Sequence, residues 1–190
     1  VQEWFPFDLM PIVDEVIKRV DFSWCLADPV VAELPGSSPF WIVRREVLDS
    51  FLSDKAINAG AELLKPFKAT KLQKAGNYWQ VTSDDGRKLE AKAVVIADGS
   101  NSQWPRKFGL GPKNEYHAFT ASVRLEGRGL IEEGVAKFEF GLVRHGFAWA
   151  FPLKTGVNIG IGSFIGKQAL NSEAVLERLL PKFGFEPDEG

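Results

Sequence analysis

The chain has 190 residues, 45% of them apolar and 25% charged, with a formal net charge of −2. That length can bury the core of one sizeable domain or two small ones. The near-neutral balance gives no electrostatic reason to expect nucleic acid or an anionic membrane surface as a partner, and a single cysteine, Cys25, excludes an internal disulfide and suits a reducing compartment.

No apolar run approaches the roughly 18 residues of a membrane span. The first residues, VQEWFPFDLMP, lack the basic start and apolar stretch of a signal peptide and do not include an initiator methionine. The expectation is an internal piece of a longer, cytoplasmic protein, with peripheral membrane contact left open. Six tryptophans and fifteen phenylalanines suit either a well-filled core or a hydrophobic ligand pocket.

In chain order, Ile12, Val13, Val16, Ile17 and Val20 have helical spacing and predict a helix over 11–20. PGSSP at 35–39 breaks the chain, and WIV at 41–43 reads as a short strand. Val47, Leu48, Phe51, Leu52, Ala56 and Ala59 share a stripe and predict a helix over 46–59, with Gly60 at its C-terminal cap. The period then shifts to two. Strands are predicted at 62–66, 70–74, 78–83, 88–91 and 93–97, with hairpin turns at Gly76-Asn77 and Asp84-Asp85-Gly86. A short helical stretch near 105–108 follows. Strands resume at 119–126, 136–140, 147–152 and 157–163. A last helix over 172–182 has Ser172 as its cap and Val175, Leu176, Leu179 and Leu180 as its buried face. The pattern is α+β, a largely antiparallel sheet with flanking helices, without regular βαβ alternation and without GxGxxG.

Two stretches stand out. The first, AVVIADGSNS (93–102), is a β-branched run ending at Asp98-Gly99. Gly99 lets a backbone turn with positive φ or approach a ligand closely, and Asp98 can accept hydrogen bonds from sugar-type hydroxyls. An ordinary Asp-Gly turn is the alternative. The second is FAWAFPLKTGVNIGIG (147–162). Phe147, Trp149 and Phe151 alternate with alanines, then Gly160 and Gly162 alternate with isoleucines. With a two- or four-residue loop around Lys154-Thr155, Trp149 falls opposite Gly160 and Phe147 opposite Gly162. Two glycines in one strand suggest a need for space. That space is expected to be a groove for a long apolar ligand. Rings covering bare backbone are the alternative.

These stretches carry a family resemblance. Arg45, Leu48, Asp49 and Leu52 match the R-x-x-[FL]-D-x-x-L helix of flavin-dependent oxidoreductases of the hydroxybenzoate-hydroxylase type. Asp98, Gly99 and Ser102 match that group's D-G-x-x-S loop, although Arg106 follows Ser102 by four residues where the group has three. Phe147, Trp149, Phe151, Pro152, Gly160 and Gly162 resemble the Y-x-W-x-F-P and G-x-G motif of geranylgeranyl reductases, with phenylalanine in place of tyrosine.

The resemblance implies a partial FAD-binding domain, lacking the GxGxxG βαβ unit, interleaved through 1–110, and a substrate-binding sheet with a terminal helix in 111–190. It implies that Arg45, Asp98, Gly99 and Ser102 touch FAD and that the aromatic hairpin holds a prenyl substrate. The reaction implied is hydride transfer, from NAD(P)H by way of FAD, to a prenyl carbon–carbon double bond. FAD and NAD(P)H are expected with the full-length protein and not with this piece alone, which is expected to be inactive. The alternatives are a flavin monooxygenase or halogenase of the same fold, or a noncatalytic isoprenoid-binding module. Cys25 is expected to be a buried structural cysteine. His117 and His145 have no partner spacing for metal or nucleophilic chemistry, although His145 immediately precedes the hairpin. The pattern leaves the oligomeric state open.

Overall fold

A computed structural model describes residues 4–37, 39–111, 118–164 and 171–186. His117 lies outside them. The chain forms two compact units, Val1–Leu52 with Tyr116–Gly190, and Ser53–Glu115. Long-range strand pairing, which local patterns do not reveal, joins residues 19–33 to the C-terminal strands of the first unit.

The first unit opens with a 3-10 turn, Met10–Ile12, then β1 (Glu15–Ile17), β2 (Arg19–Trp24), β3 (Ala27–Glu33) and β4 (Phe40–Ile42). Helix α1 (Arg45–Asn58) carries the chain across the unit boundary. The second unit holds β5 (Ala69–Ala75), β6 (Tyr78–Ser83), β7 (Lys88–Ala91) and the short helix α2 (Trp104–Lys107). The chain returns to the first unit as β8 (Phe119–Glu126), β9 (Val135–Phe140), β10 (Gly146–Pro152), β11 (Gly156–Ser163) and α3 (Ser172–Leu179), followed by a 3-10 turn, Leu180–Phe183.

The main sheet has six strands in the order β3-β2-β9-β10-β11-β8. All its pairs are antiparallel except β2 with β9. Its faces differ as the sequence alternation requires. On one face Ala148, Ala150, Val157, Ile159 and Ile161 are fully buried against Leu179, Leu180, Phe183 and Phe185 from the C-terminal helical segment. Small alanines on β10 let that segment lie close to the sheet. The other face carries aromatic rings. At one end it is covered by the β1–β4 ribbon, whose Ile17 and Ile42 pack with Val20, Ala136 and Leu153.

The helix expected over 11–20 does not form. Val16, Ile17 and Val20 fit a pleated surface better than a helix, and β2 is fixed by parallel pairing of Arg19–Trp24 with Val135–Phe140. Residues 62–66 and 93–97 are not strands either. Val95 is 88% exposed, and among the described residues 93–97 have no paired neighbour, which an apolar strand of this composition requires. Asn171, not Ser172, caps α3, its Oδ1 accepting from the Ala174 N–H at 3.2 Å. The helix tightens to 3-10 geometry where Pro181 removes a backbone donor. Gly60 has φ +96 and follows α1 as expected, its N–H donating to the Ile57 carbonyl at 2.9 Å.

Candidate functional site

The hairpin β10–β11 closes with a two-residue loop, Lys154-Thr155, bracketed by the Leu153 N–H donating to the Gly156 carbonyl at 2.8 Å. Trp149 therefore stands opposite Gly160, Phe147 opposite Gly162 and Phe151 opposite Asn158, which is the register the sequence predicts. Phe138 and Phe140 of β9 stand opposite Trp149 and Phe147, and Phe22 of β2 opposite Phe138. These pairings put all the rings on one face of the sheet.

The rings form a continuous layer. Phe138 contacts Phe147 and Phe151 at centroid distances of 5.6 and 5.3 Å, and stacks on Phe22 at 5.7 Å. Phe147 reaches Phe140 at 5.7 Å and Phe164 at 5.5 Å. Trp149 lies 6.0 Å from both Phe147 and Phe151. Pairs at such separations stabilise by about 0.5–1.5 kcal/mol each beyond their burial. Phe147, Trp149 and Phe151 are half-buried, whereas Phe164 is 50% exposed. The layer is thus closed at the Phe151 end, where Phe40 of β4 meets it edge-on at 6.2 Å, and more open at the Phe164 end.

The expected groove over the glycines is filled. A β-carbon on Gly160 would lie 2.6 Å from Cε2 of Trp149, closer still to Cζ2, and 2.7 Å from Cβ of Ser122. One on Gly162 would lie 3.4 Å from Cζ3 of Trp149. The indole therefore lies along β11 across both glycines, and the missing side chains make room for it. Its Nε1–H donates to Asn158 Oδ1 at 2.9 Å, and Asn158 Nδ2 donates to the Val123 carbonyl at 3.4 Å. What the face offers a ligand is a paved surface of ring faces, not a hollow beneath them. Pro152 is fully buried and belongs to the opposite side of the strand from the rings.

Helix α1 is tied to this sheet at its first turn. Arg124, which stands opposite Asn158 on β8, donates to Glu46 at 2.8 Å. Arg44 donates to the buried Asp14 at 2.8 Å. Arg45 is 80% exposed and pairs with Asp49 one turn on, at 3.1 Å, so the R-x-x-x-D spacing has a structural use along the helix itself. Glu46 has its carboxyl held below the ordinary range by a hydrogen bond from its own backbone N–H and then by Arg124.

In the second unit Asp98 is exposed, and Gly99 has φ +93 with nothing within 4 Å of the place its β-carbon would take. The Ser102 N–H donates to the Gly99 carbonyl at 3.1 Å, and Ser102 Oγ accepts from the Trp104 N–H at 3.3 Å. The loop is a defined turn with an open side. Among the described residues it has no long helix behind it, since α2 has four residues and a proline in its first turn.

Cys25 is exposed, not buried. It shares the tight turn between β2 and β3 with Leu26, both at positive φ. His145 is exposed, with φ 55. A cavity of about 210 Å³ opens at β2 and β9 beside the 3-10 turn after α3. Polar Asp21, Ser23, Lys137, Glu139 and Lys182 and apolar Phe22, Leu26, Pro29, Phe138 and Phe183 line it. Glu139 there is 1% exposed and accepts from the Leu26 N–H at 2.8 Å and from the Ser23 hydroxyl. No helix of the described residues is long and apolar enough to cross a membrane, and no metal-ligating cluster occurs among them.

Sequence reading missed Phe22, Phe138 and Phe140 as members of the ring face. Their signal was present in the alternations DFSW and KFEF, but only the β2–β9–β10 pairing brings them beside the hairpin.

No protein-family model matches the chain. It is 27% identical over 129 residues to a digeranylgeranylglycerophospholipid reductase of Methanocaldococcus jannaschii, covering 64% of this chain and 33% of that protein. It is 30% identical over 153 residues to a chloroplastic geranylgeranyl diphosphate reductase of Nicotiana tabacum, covering 73% and 33%. The chain thus spans about a third of the length of these curated relatives. In three dimensions it resembles the halogenase PltM, solved with phloroglucinol and FAD, at a TM-score of 0.68 and 16% identity, over 90% of this chain and 40% of that one. The chain carries part of the α+β fold of such flavoproteins and is a distant relative of proteins named geranylgeranyl reductases.

Proposed function

We propose that this chain is the prenyl-binding portion of an FAD-dependent oxidoreductase that saturates prenyl carbon–carbon double bonds, with NAD(P)H as the electron source. The observation that carries the reading is the continuous ring-paved face of the six-stranded sheet, in a distant relative of proteins named for prenyl reduction. An isolated alkene is a poor hydride acceptor, so its orientation must be fixed before reaction. A rigid layer of Phe138, Phe147, Trp149 and Phe151 can hold an isoprenoid chain flat and keep water from it.

The residues proposed for the cofactor fit it in part. Exposed Asp98 beside the open Gly99 suits hydrogen bonding to sugar-type hydroxyls, and Ser102 shapes the turn that presents them. Arg45 offers an exposed guanidinium in the first turn of α1. A pyrophosphate needs several backbone amides at the start of a longer helix, and the described residues supply none behind this loop. When bound and reduced by NAD(P)H, FAD would supply the hydride, with a proton added to the other alkene carbon; the residues of this chain bind and orient the alkene and screen it from bulk water. A substrate carried on a lipid would bring the protein to a membrane surface, which makes peripheral membrane contact part of the same proposal.

The fold likeness to halogenases favours a second reading, oxygen-dependent chemistry on an aromatic substrate. Anaerobic incubation of the full-length protein with FAD, NAD(P)H and geranylgeranyl diphosphate separates the two. The proposal expects products heavier by two hydrogens for each bond saturated. Substrate oxygenated only in air would establish the second reading. Tight binding of the prenyl compound with no bound flavin and no turnover would make the chain a noncatalytic isoprenoid binder.

A further inference from the structure

We infer that Asn158 is a positioning residue for the ring face: it pins the indole of Trp149 flat along β11, and so sets where a prenyl chain lies on that face. The inference rests on the prenyl reading given above. Glycines at 160 and 162 let the indole approach the strand, but they supply no side chain to stop it sliding or swinging. Phe147 and Phe151 flank it at 6.0 Å and limit sideways motion only. The one directional bond on the ring is its N–H to Asn158 Oδ1, at the end of the indole away from Gly162.

Asn158 is itself held. Its Nδ2 donates to the Val123 carbonyl, which fixes the amide with its oxygen toward the indole, a group that can only donate. Its position opposite Phe151, and opposite Arg124 on the other side, anchors it between two strands. Asn158→Leu would keep the branched shape in a somewhat larger side chain and lose the bond. The apolar area offered to the substrate would change little, but the angle of its central ring would no longer be fixed. Misplacement on the scale of an ångström is costly to reaction and cheap to binding.

The test has two readouts. The first needs no substrate: hydrogen exchange of the Trp149 indole N–H in the protein labelled with 15N-tryptophan, the signal being assigned by its loss in Trp149→Phe. Exchange should quicken by about tenfold or more in Asn158→Leu and by less in Asn158→Asp, which keeps the acceptor but loses the bond to the Val123 carbonyl. The second uses the flavin-loaded full-length protein with geranylgeranyl diphosphate. Asn158→Leu should lower kcat by about tenfold or more with Kd changed less than about threefold, and Asn158→Asp, which keeps only the acceptor, should lose less than Asn158→Leu. Trp149→Phe, which removes the donor, should reproduce the kcat loss, and the double variant Trp149→Phe/Asn158→Leu should be no worse than Trp149→Phe alone. Unchanged exchange in Asn158→Leu, or additive losses in the double variant, would overturn the inference. A wild-type protein that neither binds nor reduces the probe would overturn the prenyl role, while the exchange result would still decide whether Asn158 anchors the ring.

Discussion

At the scale of single residues, the two hairpin glycines do different jobs. A methyl group on Gly160 collides with the indole and with Ser122, whereas on Gly162 it makes ordinary contact. Gly160→Ala should destabilise the protein by about 1–3 kcal/mol through overpacking, and Gly162→Ala should be nearly neutral, both measured by urea unfolding. Equal effects would mean that the indole does not occupy the place described. The register that pairs Trp149 with Gly160 was legible in the sequence, because strand alternation and a short loop leave few choices. The course of the indole was not. It depends on a torsion angle and on Asn158, whose partner Val123 arrives from a strand more than thirty residues earlier. The glycines signalled a need for space correctly; which group takes the space required coordinates.

At the scale of elements, the first turn of α1 joins helix to sheet through charge. The Glu46 carboxyl is held below its ordinary range in the fold, so its contribution is fully present above the ordinary carboxylate range and is lost as pH falls through the lowered value. The stability difference between the protein and Glu46→Gln should therefore shrink on acidification, as followed by unfolding at a series of pH values. A constant difference would show that the Arg124 contact adds nothing. At the other end of the chain, Leu179 is fully buried against the alanine face of the sheet. Leu179→Ala should cost about 2–5 kcal/mol, while Asn171→Ala, which removes the cap, should cost about 1 kcal/mol, in the same unfolding measurement. Helix α3 and strands β6 and β7 could be read from periodicity and turn residues alone. The stretch 11–20 could not, because Val16, Ile17 and Val20 satisfy a helical spacing by chance: Val16 and Ile17 enter β1, which pairs with β4, and Val20 enters β2, which is selected by β9, more than a hundred residues away. The stretch 93–97 was misread for a related reason: it has the composition of a buried strand but no paired neighbour among the described residues.

At the scale of the molecule, the chain interleaves two units and spans about a third of its relatives' length. The first unit builds a sheet with one face sealed by the C-terminal helical segment and the other paved by rings. Its cavity, of mixed polar and apolar lining, opens on the sealed side beside the 3-10 turn after α3. The two faces therefore make opposite predictions for a prenyl ligand, and labelling can tell them apart. The full-length protein is to be irradiated with a geranylgeranyl diphosphate analogue carrying a photoreactive group at its hydrocarbon end, and the labelled residues identified by mass spectrometry. Label on Phe138, Phe147, Trp149 or Phe164 is the predicted result; label confined to the Lys137 and Lys182 side of the sheet, or to residues 53–115, would contradict it.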